Sequence, residues 1–346
     1  MKMTNAELAK YNQGRNVVQV GYASADVWRT IRQFRDILGI APWQVCTVSD
    51  ANSRHVKLYE KRIEEPFDFK CAHCQIGNMD FEVLAPVYGP NAYTQFIAEK
   101  GEGIQHPKEK FAKEDLWDVT LDAEEAGARV MLTGGVDIDR FVYLDMQQQG
   151  AAVYELGNQP DMELVCEHWP QEDVSALEAA NKNRRITQIA YLTDDLRRVA
   201  DMLYRALKMG PWTVATLTER NTKDFRVYGE TVAEGFELKI AVCRLGDMQI
   251  EILQPMRGLQ PLADHLRRRG EVVHHVKERV DPRQMERFAQ DMRAKGYPPC
   301  LSGKIGEESF LCFDLTDCGL SAYVIGGPTG YISLDGLQTE TWPEEN

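Results

Sequence analysis

The sequence predicts an α+β chain of four βαβββ-like units, paired into two tandem domains whose mixed sheets curve around a concave face. Three observations lead there. The chain repeats itself without a gap at a spacing of 169 residues (188 − 19). Gln19-Val-Gly-Tyr lies against Gln188-Ile-Ala-Tyr, Pro42-Trp43 against Pro211-Trp212, and Glu82-Val-Leu-Ala-Pro86 against Glu251-Ile-Leu-Gln-Pro255. Within each copy the order strand, helix, strand, hairpin recurs. Finally, Gly77-Asn78 and Gly246-Asp247 stand between apolar runs as two-residue turns that favour φ > 0 and tight antiparallel pairing.

The elements follow in order. Residues 17–23 read as a strand, 26–38 as an amphipathic helix, and a second strand starts around Trp43. A hairpin over 67–76 and 79–84 closes the first unit. The second unit opens with a strand around 104–111, continues with a helix near 113–127, and ends in strands at 141–145 and 151–156. Copy two repeats this pattern from Ile186 to Ile325. The boundaries expected are 1–160 for the first domain, 161–183 for a polar linker with a short helix at 174–181, 184–328 for the second domain, and 329–346 for a polar tail.

With 346 residues and 43% apolar content, the chain is long enough to bury two substantial cores. Its net charge of −13 argues against nucleic acid or an anionic membrane as a partner, because phosphates repel such a surface. The dense basic run Arg267-Arg268-Arg269 precedes Gly270 and suits the C-terminal end of a helix. Residues 1–15 are polar, without the apolar segment of a secretory leader, and no stretch has the ~20 apolar residues a membrane span needs. Eight scattered cysteines without such a leader read as reduced thiols of a cytoplasmic protein. Cys71 and Cys74 form a CxxC, but strand alternation sends their sulfurs to opposite faces.

Taken in order and twice over, the motifs resemble the vicinal-oxygen-chelate superfamily of glyoxalases, methylmalonyl-CoA epimerases and extradiol dioxygenases. They are Leu38-Gly-Ile-Ala-Pro-Trp43, Gly77-x4-Glu82-Val-Leu-Ala-Pro86, Gly101-Glu-Gly-Ile-Gln-His106, Arg140-Phe-Val-Tyr-Leu-Asp145 and Val153-Tyr-Glu155-Leu156. The resemblance implies one divalent ion (Zn, Mn, Co, Ni or Fe) held in the first domain by Gln19, Glu82, His106 and Glu155. One imidazole, one amide oxygen and two carboxylates form a hard-to-borderline donor set. Strand parity agrees, since Gln19 and Gly21 share one face while Val18, Val20 and Tyr22 share the other. A second site is implied at Gln188, Glu251 and His275, weakened because Val324 stands where the second carboxylate should be. Two departures concern His106: Gln105 replaces the first residue of the family's His-His pair, and Pro107 cannot donate to a ladder, so this strand is an edge, bulged or distorted.

Pairing arithmetic adds one residue. With Gly77-Asn78 as a two-residue turn, His73 falls opposite Glu82 on the same face, whereas copy two has Val242 there. That pairing makes His73 an acid–base partner or a ligand, while the resemblance implies Glu155 as a base in a metal-dependent lyase or isomerase (epimerase- or glyoxalase-like). Such an enzyme forms an enolate-type intermediate from a small carbonyl or carboxylate compound. Two alternatives stand beside it: an extradiol-type ring-cleaving dioxygenase, and a non-catalytic small-molecule-binding protein. The expected partner is a small molecule, with a homodimer also open. Trp43, Trp212, Tyr143 and Tyr154 read either as pocket walls or as core.

Overall fold

The computed structural model describes residues 3–158, 164–232 and 234–344. Two mixed sheets of eleven strands each account for the predicted units. Across the first sheet the strands lie in the order 166–169, 43–49, 68–76, 79–88, 17–23, 103–110, 154–157, 139–145, 129–136, 53–58 and 61–62. The central pair, Val17–Ala23 with Gly103–Lys110, is antiparallel and joins one βαβββ unit to the next. Each of these strands runs parallel to its other neighbour, Met79–Tyr88 or Tyr154–Gly157. Ser53–Leu58 follows Trp43–Ser49 in the chain but pairs with Arg129–Val136 of the other unit, which curls the sheet round its concave face. The second sheet repeats this order.

The two faces of each sheet do different work. Val20 and Tyr22 pack with Ile31, Phe34 and Leu38 of the helix Val27–Leu38 in an apolar cluster that draws on both halves of the chain. That helix starts where Asp26 accepts from the Arg29 N–H at 3.1 Å and ends at Gly39, whose φ of 67° closes the last turn. Trp43 and Trp212 are fully buried in this shared core. The concave faces carry separate clusters, one around Val48, Leu84 and Tyr143 and one around Phe225, Leu253 and Val324.

The repeat extends further than its motifs suggest. Within the polar N-terminal stretch, Asn5–Gln13 is a helix with a capping box between Thr4 and Glu7, and it matches the helix Ser175–Lys182 in the expected linker. Each helix serves the opposite half. Asn12 donates to the Gly210 carbonyl at 2.6 Å, and Asn181 donates to the Ala41 carbonyl at 2.7 Å. Past each domain comes another strand: Cys166–Trp169 pairs with Trp43–Ser49, and Thr339–Trp342 of the tail pairs with Trp212–Thr218. The boundary expected at residue 160 lies outside the described residues, as do its neighbours 159–163.

Pro107 acts as its chemistry requires. Gly103–Lys110 is central and carries a register shift where Gly21 faces His106 and Tyr22 faces Ile104. Its parallel pairing with Tyr154–Gly157 begins only at Lys108. In copy two, which has Val276 in place of the proline, the matching ladder begins two residues earlier, at His275.

Candidate metal centre

Register alone brings the donors together. One lateral row on the concave face of the first sheet reads His73, Glu82, Gly21, His106, and the adjacent row reads Asp80, Gln19, Lys108, Glu155. Neighbours in a row share a face, and residues two apart on a strand share it too, so the two rows form one patch. Gly21 is the gap in its centre. A Cβ at this position would lie 2.1 Å from Cε1 of His106, so the imidazole lies directly over the glycine.

His106 is fully buried, with Nδ1 3.0 Å from the Gln105 amide oxygen and Nε2 turned inward. Nε2 lies 3.1 Å from Glu155 Oε2 and 3.5 Å from Glu82 Oε2. The Gln19 amide nitrogen donates to Asp80 Oδ2 at 2.6 Å, which leaves its oxygen as the inward atom. Among the described residues, Gln19 Oε1, Glu82 Oε2 and His106 Nε2 are buried side-chain atoms without a hydrogen-bond partner. Such atoms are costly unless something meets them. Glu82, His106 and Glu155 can present donors within 4.8 Å of one another. The residues therefore fit a divalent ion: four donors converge, His106 Nε2 meets only the two carboxylates, and the inward Gln19 oxygen makes no hydrogen bond.

The charges agree with that fit. Lys108 Nζ spans Glu155 Oε1 at 3.0 Å and Asp139 Oδ2 at 2.8 Å. Burial alone would raise the Glu155 pKa, but Lys108 and His106 outweigh it and hold the carboxyl below its usual range. Burial opposes a charged His106, yet Glu155 and Glu82 beside it push its pKa up. For His73, too, burial is overcome, here by Asp80 at 2.8 Å and then Glu82, and its pKa rises to about 10. Protons are drawn to positions where a cation is favoured.

A small cavity over these rows is lined by Gln19, Glu82 and Glu155 together with Phe69, Tyr93 and Tyr143. Of the aromatic residues considered from sequence, only Tyr143 reaches it, with its ring 4.6 Å from that of His106. Tyr154 faces the core instead and donates to Glu109 at 2.9 Å.

The glyoxalase/bleomycin resistance protein/dioxygenase family model matches residues 187–313. Among solved structures, a mutant of 4-hydroxymandelate synthase from Streptomyces coelicolor aligns at a TM-score of 0.57 and 12% identity, covering 92% of this chain and 94% of the other. A xylose isomerase-like TIM barrel/4-hydroxyphenylpyruvate dioxygenase fusion protein aligns at a TM-score of 0.54 and 10% identity, covering 93% of this chain and 50% of that longer one. The second copy, over residues 187–313, matches the glyoxalase/bleomycin resistance protein/dioxygenase superfamily, and the first copy shares its fold. No curated protein matches its sequence. No helix among the described residues is long and apolar enough to cross a membrane.

The chain carries two tandem glyoxalase-like domains with unlike concave faces. The second domain's rows read Val242, Glu251, Ala190, His275 and Gln249, Gln188, Lys277, Val324. Gln188 donates to Gln249 at 3.0 Å, and Gln249 is tied to the backbone of Ile332 in the tail. His275 Nε2 is 3.6 Å from Glu251, while Lys277 pairs with Glu308 at 2.9 Å. Burial, only partly offset by Lys277 and Gln188, pushes the Glu251 pKa up to about 7, and burial pushes His275 well down. The field is thus opposite to that of the first domain: charged forms are disfavoured. Phe225, Leu262, Phe310 and Val324 complete a largely apolar cavity there.

Sequence reasoning reached Gln19, Glu82, His106, Glu155 and His73, but missed Asp80, Lys108, Asp139 and Cys71. Parity held the signal for two of them, since Asp80 is two residues from Glu82 and Lys108 two from His106. The same step from His73 reaches Cys71, whose sulfur lies 3.0 Å from His73 Nε2. Asp139 opens a hairpin strand whose register shifts between Val130 and Leu132, and counting along the sequence does not locate it.

Proposed function

We propose that the first domain is a divalent-metal-dependent lyase or isomerase centre that takes a proton from carbon next to a carbonyl, in a small molecule held through two neighbouring oxygens. The convergence of Gln19, Glu82, His106 and Glu155 around Gly21, with the buried Gln19 oxygen making no hydrogen bond and His106 Nε2 facing two carboxylates, carries this reading. These four residues would hold the ion, which when bound would polarise a carbonyl oxygen and stabilise the negative charge that develops there. Glu155 is the proton acceptor. Lys108 keeps it ionised and aimed, and a carboxylate so tied is a weak base, suited only to a carbon already made acidic. Phe69, Tyr93, Phe141 and Tyr143 exclude water and favour a substrate with an apolar part. The role of His73 is a different matter, because Asp80 takes its Nδ1 and Cys71 faces its Nε2, so neither nitrogen is free to shuttle a proton.

A ring-cleaving dioxygenase is the second reading; one structural relative is named a 4-hydroxyphenylpyruvate dioxygenase fusion protein, which favours dioxygenase chemistry without naming ring cleavage. Identities of 10% and 12% extend only to the fold, however. The donor set belongs to this chain itself. Non-haem iron oxygenases use two histidines and one carboxylate, whereas the four converging donors are one imidazole, two carboxylates and an amide, and the second imidazole, His73, is held by Asp80 and Cys71 on the far side of Glu82.

Metal content and two assays separate the readings. The Glu155→Ala variant is expected to lose its ion at this site, and Glu251→Ala to keep it. Exchange of an α-proton into D2O, followed by NMR over a panel of 2-oxo acids, 2-hydroxy carbonyl compounds and acyl thioesters, supports the first reading. Oxygen uptake by the iron-loaded protein with catechols or 4-hydroxyphenylpyruvate supports the second. If Glu155→Ala retains all its metal and neither assay responds, both readings fail and a binding protein remains.

A further inference from the structure

We propose that Cys71, His73 and Glu82 form a second metal position beside the first, for Zn²⁺ or a similarly thiophilic divalent ion, with Glu82 shared between the two. It rests on the reading above only through that shared carboxylate. Cys71 and His73 are two apart on Asp68–Ile76 and share its inner face, and His73 stands directly opposite Glu82. Cys71 Sγ lies 3.0 Å from His73 Nε2 and 3.3 Å from Glu82 Oε1, and His73 Nε2 lies 3.6 Å from the same oxygen. Zinc bonds of about 2.0–2.3 Å at tetrahedral angles set donor–donor edges of about 3.3–3.6 Å. The three donors already stand close to that triangle, and all three line the cavity, which leaves a fourth position for water or substrate.

The surroundings are arranged as a metal site requires. Asp80 Oδ2 accepts from His73 Nδ1 at 2.8 Å, which fixes the ring and leaves Nε2 as the donor nitrogen, the usual arrangement behind a metal-bound histidine. The same oxygen holds the Gln19 amide nitrogen, so one carboxylate orients a donor for each position. Glu82 turns Oε1 to Cys71 and His73, and Oε2, without a hydrogen-bond partner, to His106. This is the posture of a bridging carboxylate. Cys71, His73 and Asp80 also give the order nucleophile, base, orienting acid, but Cys71 is fully buried and lies against an acidic side chain. That setting disfavours a free thiolate and suits one bound to a cation. In copy two the set has gone as a unit: Ile240, Val242 and Gln249 replace Cys71, His73 and Asp80, while the counterpart of the bridge, Glu251, remains.

Cobalt titration of the full chain, stripped of metal and kept reduced, tests this. The parent is expected to take up two equivalents of Co²⁺, one of them raising a thiolate-to-cobalt charge-transfer band in the near ultraviolet. Cys71→Ser and His73→Gln should each lose one equivalent together with the band; His73 is partly exposed, so its variant has the smaller folding risk. Glu155→Gln should lose the other equivalent and keep the band. Absence of the band from the parent, or its survival in Cys71→Ser, overturns the proposal. Two equivalents retained in Glu155→Gln would instead sink the first-position reading and leave this one standing.

Discussion

Gly21→Ala puts the geometry of the first domain to its hardest test, because it adds one methyl group and removes nothing. The new Cβ would stand 2.1 Å from Cε1, 2.3 Å from Nε2 and 2.8 Å from Nδ1 of His106. Ordinary contact needs about 3.4 Å or more, so the ring must retreat by roughly an ångström. It has little room, since it is fully buried, held through Nδ1 by Gln105 and packed against the tilted ring of Tyr143. Nε2 therefore leaves its place near Glu155 and Glu82. Overpacking of this kind costs about 1–3 kcal/mol of stability, and a misplacement of about 1 Å at a metal or catalytic group costs of the order of 10²-fold. Backbone strain plays no part, because copy two carries Ala190 at the same place in its strand. The expectation is a folded protein whose affinity at this position falls about a hundredfold, read by isothermal titration with Mn²⁺ or Zn²⁺, with Ala190→Gly as a neutral control. Unchanged affinity in a folded Gly21→Ala would refute the convergence of donors over this glycine.

Two further predictions concern stability. Arg15 donates to Glu109 at 2.6 Å and to the Leu207 carbonyl at 2.7 Å, tying a buried ion pair across the two halves; Glu109→Gln should cost about 3–5 kcal/mol by calorimetry, and a loss under about 1 kcal/mol would deny the pair this role. In the second domain, burial holds the pKa of His274 down to about 4 and that of His265 to about 2. The unfolded chain then binds protons at pH 4–6.5 that the folded chain refuses, so stability is full above about pH 6.5 and falls as pH drops, by about 3 kcal/mol through His274 alone. His274→Gln, which installs the residue copy one has at Gln105, should flatten denaturation curves compared between pH 7.5 and pH 5, and an equal pH dependence would count against the buried histidine.

Legibility in the sequence followed the strength of local patterns. The repeat, the alternation around Gln19 and the Gly77-Asn78 turn set strand order and register closely enough to put His73 opposite Glu82, and that pairing stands in the sheet. Ser53–Leu58 escaped notice because it is polar, largely exposed and broken by His55 at a φ of 54°. Its partner strand is also distant in sequence. The helix Asn5–Gln13 buries only Leu8 and Asn12, too little to leave an apolar stripe. Linker and tail looked like connections because their strands lie on sheet edges, where half the side chains meet solvent. The missed site residues are a different case. Asp80 and Lys108 serve by orienting other side chains, and a search for metal ligands alone passes over groups that bind nothing themselves.

The two domains set the proposed metal centre of the first against the largely apolar pocket of the second on one scaffold. Around the donors five substitutions stand out: Val324 for Glu155, Val242 for His73, Ile240 for Cys71, Gln249 for Asp80 and Ala190 for Gly21. Val324 stands opposite Lys277, as Glu155 stands opposite Lys108, so a carboxylate restored there would meet a cation across the ladder. Burying an unpaired carboxylate costs several kcal/mol, and that cation is the condition for tolerating it. In Val324→Glu alone, Ala190 still occupies the gap that the glycine leaves in copy one, and His275 cannot lie over the strand. The single variant should therefore fold with a lowered transition temperature and gain little affinity for Mn²⁺ or Zn²⁺. Val324→Glu with Ala190→Gly should gain a measurable site, because Glu251, His275 and the new carboxylate then reproduce the triangle of Glu82, His106 and Glu155. If the folded double variant binds no more metal than the parent, the carboxylate and the glycine are not what distinguishes the domains, and the difference must lie with Gln249 and its tie to Ile332.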